Sequence, residues 1–155
     1  MWNRKHSVTL SLAVCYTVCV LLTVGLFFGP WAVKMWFTVY RGWNEQSVPM
    51  DRMLTLFKAC FYPCAALAYV TLYSLIRLLL NIKKDNIFIT PNVRYLRRIS
   101  WCCLIVSVIT FVAGVFYLPY LFVAVAAGFV GLMLHVVKNV MENAVQLKEE
   151  NELTI

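Results

Sequence analysis

The sequence predicts an all-α, polytopic membrane protein that forms a bundle of four transmembrane helices. Of its 155 residues, 62% are apolar and 14% are charged, whereas a soluble domain has about 45–50% and about 25%. Mean hydropathy is +0.76, and the apolar residues fall into four runs, each near the ~20 residues that cross a bilayer as a helix. A 15% share of aromatic residues is unlike a disordered chain. We therefore expect a single transmembrane domain over residues 1–155, with the lipid bilayer as its first partner.

The first predicted span covers residues 8–29, which carry no charge. The basic residues Arg4 and Lys5 before it are also compatible with a secretory signal peptide. However, the apolar run is longer than the usual core of a signal peptide, and Pro30 and Trp31 would lie at the cleavage point. We therefore expect an uncleaved anchor.

The other predicted spans cover residues 55–80, 101–118 and 121–140. Pro63 removes one backbone donor inside the second span, a kink that membrane helices tolerate. Pro119 separates the third span from the fourth, so these two are expected to form a tight helical hairpin.

Orientation follows from the distribution of lysine and arginine, which are enriched in cytoplasmic loops. Of the fourteen such residues, only four lie on one side of the spans: Lys34, Arg41, Arg52 and Lys58. The other ten lie on the opposite side, at the termini, near the end of the second span and in residues 81–100. We therefore expect both termini and the loop of residues 81–100 to be cytoplasmic.

Residues 30–43, on the outer side, combine many aromatic residues with polar Lys34, Thr38 and Arg41 at helical spacing. Proline suits the first turn of a helix, so Pro30 is expected to begin a separate outer interfacial helix. This segment can serve as an aromatic belt at the headgroup level, or as a gate or cap over a ligand.

The cytoplasmic loop of residues 81–100 is too long and too patterned for a simple connector. Thr90 is expected to cap a helix whose first residue is Pro91 and which runs into the third span. The helix presents a basic face of Arg94, Arg97 and Arg98. This face can contact anionic lipid or dock a protein partner.

The fourth span is expected to continue as a cytoplasmic C-terminal helical extension, because apolar residues keep their helical spacing beyond the membrane. The extension ends in acidic residues and an apolar tip: Glu149, Glu150, Glu152, Leu153, Thr154 and Ile155. We expect this tail to bind either the basic loop of the same chain or a basic partner.

No residue pattern points to catalysis, so we expect a non-enzymatic protein without metal or other cofactor. The six cysteines form no C-x-x-C motif, and buried cysteine mostly behaves as a small apolar residue. All seven acidic residues lie outside the spans, whereas proton- or cation-coupled transporters place ionisable groups at membrane depth. Redox or haem chemistry through the cysteines or His135 stays a minor alternative.

Small residues predict a close helix contact along the fourth span. Ala124 with Gly128, and Ala127 with Gly131, are two small-xxx-small pairs. The neighbour can be another helix of this chain or a second copy in a homo-oligomer.

Two cytoplasmic motifs carry a family resemblance. The residues Asn86-Ile87-Phe88, the run Asn92-Val93-Arg94-Tyr95-Leu96-Arg97-Arg98-Ile99-Ser100-Trp101 and the ending of residues 147–155 resemble the domain-of-unknown-function family 2975, the YoaS-like bacterial four-pass membrane proteins. Ser100 and Glu152 depart mildly from the glycine and aspartate that many relatives carry there.

The resemblance implies no known activity, but it does imply a partner: genes of the family often neighbour a small helix-turn-helix regulator of the Xre type. We therefore expect a membrane partner or anchor of such a regulator, with no direct binding of nucleic acid. The alternative is a small exporter, channel or immunity-type protein that binds a small molecule or peptide in the helix bundle.

Overall fold

The computed structural model describes residues 4–41, 50–116 and 118–153, and within these ranges all regular structure is helical. Four helices follow one another along the chain: α1 (Arg4–Arg41), α2 (Met50–Lys83), α3 (Thr90–Gly114) and α4 (Pro119–Leu153). Each is long and apolar enough to cross a membrane. The predicted all-α class with four spans is therefore confirmed, and the chain is described below as a multi-pass membrane protein.

The helices pack in chain order. Within the described residues α1 contacts α2, α2 contacts α3 and α3 contacts α4, and the last contact is the most extensive. Large apolar side chains cover the outside, including Phe27 with 79% and Phe122 with 74% of their surface exposed. Such an apolar exterior suits lipid chains rather than water.

Three helices are much longer than one membrane crossing requires. At 1.5 Å per residue, the 38 residues of α1, the 34 residues of α2 and the 35 residues of α4 span about 57 Å, about 51 Å and about 53 Å, whereas the hydrocarbon core is about 30 Å thick. The continuation of α4 to Leu153 agrees with the predicted C-terminal helical extension.

The predicted boundary at Pro30 is wrong, because α1 continues through Pro30 as far as Arg41. The outer segment is therefore an extension of the first span rather than a separate helix, and its last two residues lie outside the described ranges. A proline inside a helix loses only the hydrogen bond to the carbonyl four residues earlier, and membrane helices tolerate that loss. Pro63 lies inside α2 in the same way, as expected.

The start of α3 also differs from the prediction by one residue. The residue before the helix is Ile89, with extended backbone and no side-chain capping bond, and Thr90 is already helical. Pro91 lies in the first turn, where its missing N–H costs nothing. The Thr90 hydroxyl instead points at Glu149 of α4, at a long 3.5 Å from its Oε1 atom.

Candidate functional site

The patterned polar residues gather at one end of the molecule, where α2 ends, α3 begins and α4 ends. We call residues 81–100 and 138–153 the polar end. The loop between α2 and α3 lies here, and it reverses direction at Asp85, whose φ of 59° places it in the left-handed region. Aspartate tolerates that conformation better than most non-glycine residues.

Asn92 holds this loop in place from the first turn of α3. Its side chain is fully buried, with 0% exposure. The Nδ2 amide donates to the backbone carbonyls of Asn86 and Ile87, both at 2.8 Å, and the Oδ1 atom accepts from Nδ2 of Asn81 at 2.7 Å. One side chain therefore ties the loop, α2 and α3 together.

A cluster of opposite charges joins α3 to α4 next to this loop. Glu142 accepts contacts from two cations, with its Oε1 atom 3.2 Å from Arg97 and its Oε2 atom 2.7 Å from Nζ of Lys138. The Lys138 side chain is only 10% exposed, and its ammonium also donates to Oδ1 of Asn139 at 2.8 Å. A partly buried ammonium needs such partners, since an unpaired buried charge is costly. The base of the C-terminal extension is therefore fixed to α3.

The residues predicted to bind a partner divide into two groups. Arg94 and Arg98 are exposed on α3, so they are accessible at the surface of the polar end. Arg97 and Glu149 instead contact their own chain, through Glu142 and Thr90 respectively.

The end of the predicted binding tail is only partly described. Glu150 is exposed and takes part in a further interaction. Leu153 ends α4, and Thr154 and Ile155 lie outside the described residues. Glu149 therefore lies near Thr90 of the same chain, and the binding of the tail to a basic loop or a basic partner stays a prediction.

The small residues of α4 lie against α3 of the same chain. Ala124 is 2% exposed, and its carbonyl accepts a hydrogen bond from Ser107 at 2.7 Å; two turns further, the carbonyl of Gly131 accepts one from Ser100 at 2.9 Å. A Cβ atom at Gly128 would lie 2.9 Å from the Ser107 hydroxyl. The backbones are close enough for serine to bond directly to the facing helix, as in membrane helix pairs.

An apolar cavity of about 410 Å³ lies between the helices at the depth of the spans. Ala127, the remaining small residue of the predicted seam, belongs to its lining. All four helices contribute residues: Val18 and Leu22 from α1; Phe61, Cys64, Ala65, Ala68, Thr71 and Leu72 from α2; Cys102, Cys103 and Val106 from α3; and Ala127 from α4.

The cysteines and His135 do not assemble into a metal-binding group in the part of the chain that the structure describes. All six cysteines are free thiols. The Nδ1 atom of His135 is buried and has no hydrogen-bond partner among the described residues. Redox or haem chemistry through the cysteines or His135 therefore stays a minor alternative.

Three structurally important polar residues were not identified from the sequence. Asn81 and Lys138 were assigned no contact, and Asn92 was named only as the first residue of the run that carries the family resemblance. The one available signal was position: Asn92 follows Pro91 directly, in the first turn of α3, where side-chain amides often bond to the preceding loop.

Comparison with known proteins gives one match. A family model described as "Protein of unknown function (DUF2975)" matches residues 38–155, which include the end of α1 and the whole of α2, α3 and α4. No curated protein and no solved structure matches the chain.

Proposed function

This chain belongs to the DUF2975 family of proteins of unknown function, as its loop and tail motifs predicted, and we propose that it is a non-enzymatic membrane anchor for a small cytoplasmic regulator with a helix-turn-helix fold. The regulator binds the polar end through exposed Arg94 and Arg98 and through the acidic last turns of α4. The bundle holds this surface at the bilayer.

The observation that carries the proposal is the fixed base of an otherwise exposed extension. α4 has 35 residues, about 15 more than one crossing needs. Its base is held to α3 by Glu142, through Arg97 and Lys138. Beyond that point α4 continues as a helix with mostly exposed side chains. A pre-ordered helix of this kind loses little conformational entropy when a partner binds.

The acidic turns suggest how binding could affect gene regulation. Glu149, Glu150 and Glu152 lie close together near the end of the chain, and helix-turn-helix proteins present a basic surface to DNA. A tail that occupies this surface competes with DNA and retains the regulator at the membrane. A signal that rearranges α3 against α4 would release it.

The test is affinity capture from native bacterial membranes with matched baits. One variant ends at Gln146, which removes the acidic turns but keeps Glu142 and the buried Val145. A second keeps the full length and replaces Glu149, Glu150 and Glu152 by glutamine. The control, Lys34→Gln, changes one exposed charge of α1 at the opposite end of the molecule.

We expect the full chain and Lys34→Gln to capture the same small DNA-binding protein. The truncated and glutamine variants should capture at least about tenfold less, because each acidic contact to a basic surface contributes a charge-assisted bond. Equal capture by all four baits, or capture of no DNA-binding protein by any, would refute the anchor.

Orientation is part of the same proposal. The asymmetric distribution of lysine and arginine supports cytoplasmic termini in the bacterial cytoplasmic membrane. A fluorescent protein that folds only in the cytoplasm, fused after Ile155, should fluoresce. An alkaline phosphatase fused at the same residue, which is active only outside the cytoplasm, should be inactive; the reverse pattern would contradict the proposed orientation.

The cavity favours a second candidate function. An apolar space lined by four helices suits a protein that binds a small molecule or peptide in the bundle, such as an exporter, a channel or an immunity protein. Under this alternative the chain that ends at Gln146 keeps full function, and Ala68→Phe, which fills the cavity, abolishes it. The anchor predicts the opposite response to both changes.

A further inference from the structure

Arg77 of α2 is an exposed cation inside a predicted span, three residues before that span ends. Its Nε atom donates a hydrogen bond to the hydroxyl of Tyr73 at 3.1 Å. Its guanidinium carbon lies 5.4 Å from the centroid of the same ring. Tyr73 therefore orients the guanidinium on the outer surface of α2, while its two terminal nitrogens make no hydrogen bond to another described residue.

No carboxylate among the described residues forms an ion pair with Arg77. Glu142, the acid of the charge cluster that joins α3 to α4, is already paired with Arg97 and Lys138. Arginine stays protonated under all physiological conditions. A cation near the boundary of the hydrocarbon layer is costly unless an opposite charge compensates it. Among the described residues no opposite charge compensates Arg77, which favours an anion of the bilayer as its partner.

The adjacent part of α3 adds polar and aromatic groups at the same level. α2 and α3 run antiparallel, and Asn81 bonds to Asn92. Arg77 lies four residues before Asn81 on α2, and residue 96 lies four residues after Asn92 on α3. Because the two helices run in opposite directions, Arg77 is therefore level with residues 95–98 of α3. Tyr95 lies at this level of α3, and Arg98, one helical turn beyond Tyr95, is exposed.

We propose that Arg77, Tyr73, Tyr95 and Arg98 form a binding site for the phosphate group of an anionic phospholipid, in the leaflet next to the polar end. The terminal nitrogens of a guanidinium match two phosphate oxygens in a bidentate pair. The Tyr73 hydroxyl accepts from Arg77 and so directs its own proton outward, where a phosphate oxygen can accept it. Trp101 of α3, with 56% of its surface exposed, supplies an aromatic side chain of the kind found at headgroup level.

The site's location identifies the source of the phosphate. It lies on the outer surface of the bundle and within a segment that crosses the membrane, so lipid headgroups surround it at high local concentration. Free phosphate in solution would have to displace them. The site shares Arg98 with the surface proposed for the regulator, but an assay of the purified chain contains no regulator and tests the lipid site separately from the proposed function.

The test is native mass spectrometry of the full chain in detergent, titrated separately with phosphatidylglycerol and with phosphatidylcholine. The informative variant is Arg77→Gln. Arg77→Lys keeps the charge but loses the fork and the packing on Tyr73. The control, Lys84→Gln, removes the same charge from an exposed lysine of the polar end. Helix content by circular dichroism checks that each variant folds, and Arg98→Gln serves as the second informative variant.

We expect the full chain to bind phosphatidylglycerol at least tenfold more tightly than phosphatidylcholine. Arg77→Gln should reduce this preference at least fivefold, Arg77→Lys by less, and Lys84→Gln by under twofold. Millimolar inorganic phosphate should leave the lipid adduct unchanged. Three results would overturn the proposal. An equal loss of lipid preference in Lys84→Gln would mean diffuse electrostatic attraction, and displacement of the lipid by inorganic phosphate would mean a site for a soluble anion. A lipid preference retained in both Arg77→Gln and Arg98→Gln would mean that no such site exists.

Discussion

Replacing Asn92 by alanine should loosen the loop between α2 and α3 while leaving the four helices intact. The buried amide makes three hydrogen bonds, one from Asn81 and two to the carbonyls of Asn86 and Ile87. At a net ~0.5–1.5 kcal/mol each, their loss amounts to about 1.5–4.5 kcal/mol. Because every 1.4 kcal/mol is about a tenfold change in an equilibrium, the open form of the loop should be about ten to a thousand times more populated.

Limited trypsin digestion of the reconstituted protein measures this opening. Lys83 is the last residue of α2 and Lys84 is the first residue of the loop, so cleavage after them requires this segment to leave its hydrogen bonds. When opening is fast relative to cleavage, the cleavage rate follows the population of the open form. Asn92→Ala should therefore be cut at these lysines at least about tenfold faster than the unchanged chain.

The chain offers a matched control in the same loop. Asn86 has an exposed side chain, and Asn92 bonds to its backbone carbonyl, which Asn86→Ala retains. This variant should be cut within about twofold of the unchanged rate. If Asn92→Ala is cut no faster than the unchanged chain, or if Asn86→Ala is accelerated to the same degree, the assigned role of Asn92 is wrong.

Two further predictions concern the contact between α3 and α4, and both are read from thermal unfolding in detergent. Gly128→Ala should lower the free energy of unfolding by about 1–3 kcal/mol, because its new Cβ would lie 2.9 Å from a hydroxyl of α3; Gly25→Ala, which meets nothing within 4 Å, should leave stability unchanged or slightly raised. An equal change in the free energy of unfolding for Gly128→Ala and Gly25→Ala would refute the close contact between α3 and α4 at Gly128. Ser100→Ala should cost about 0.6–1.7 kcal/mol, since its hydroxyl bonds across to α4; Ser11→Ala, whose hydroxyl bonds only within α1, should cost less, and the reverse order would contradict the assignment.

The membrane-spanning helices could be predicted from the sequence because the hydropathy of a segment depends only on its own residues. Whether a run of about 20 residues crosses a bilayer depends mainly on the sum of its own side-chain transfer energies. The four spans follow from that sum, whereas the short hairpin follows from Pro119 and the C-terminal helical extension from the helical spacing of its apolar residues. The boundary at Pro30 could not be obtained in this way, since proline is compatible both with the start of a helix and with the interior of a membrane helix.

The contacts of the polar end could not be predicted from local patterns in the sequence. The sequence left open whether the tail acids bind the basic loop of the same chain or a basic partner, and it named no acid as the partner of Arg97. The structure pairs Arg97 with Glu142 and brings Glu149 to Thr90. Residues in these pairs are more than forty positions apart in the chain. No spacing rule within one helix can predict such pairs.

By itself, the sequence thus determined that the chain is a four-helix membrane protein whose polar groups concentrate at one end, because burial in lipid is decided segment by segment. Only the tertiary structure decided which helix covers the small residues of α4, that Asn92 holds the loop, and that Arg97 pairs with Glu142. Each of these depends on the register and rotation of one helix against another. Those are set by side-chain packing along the whole contact, not by the composition of either helix.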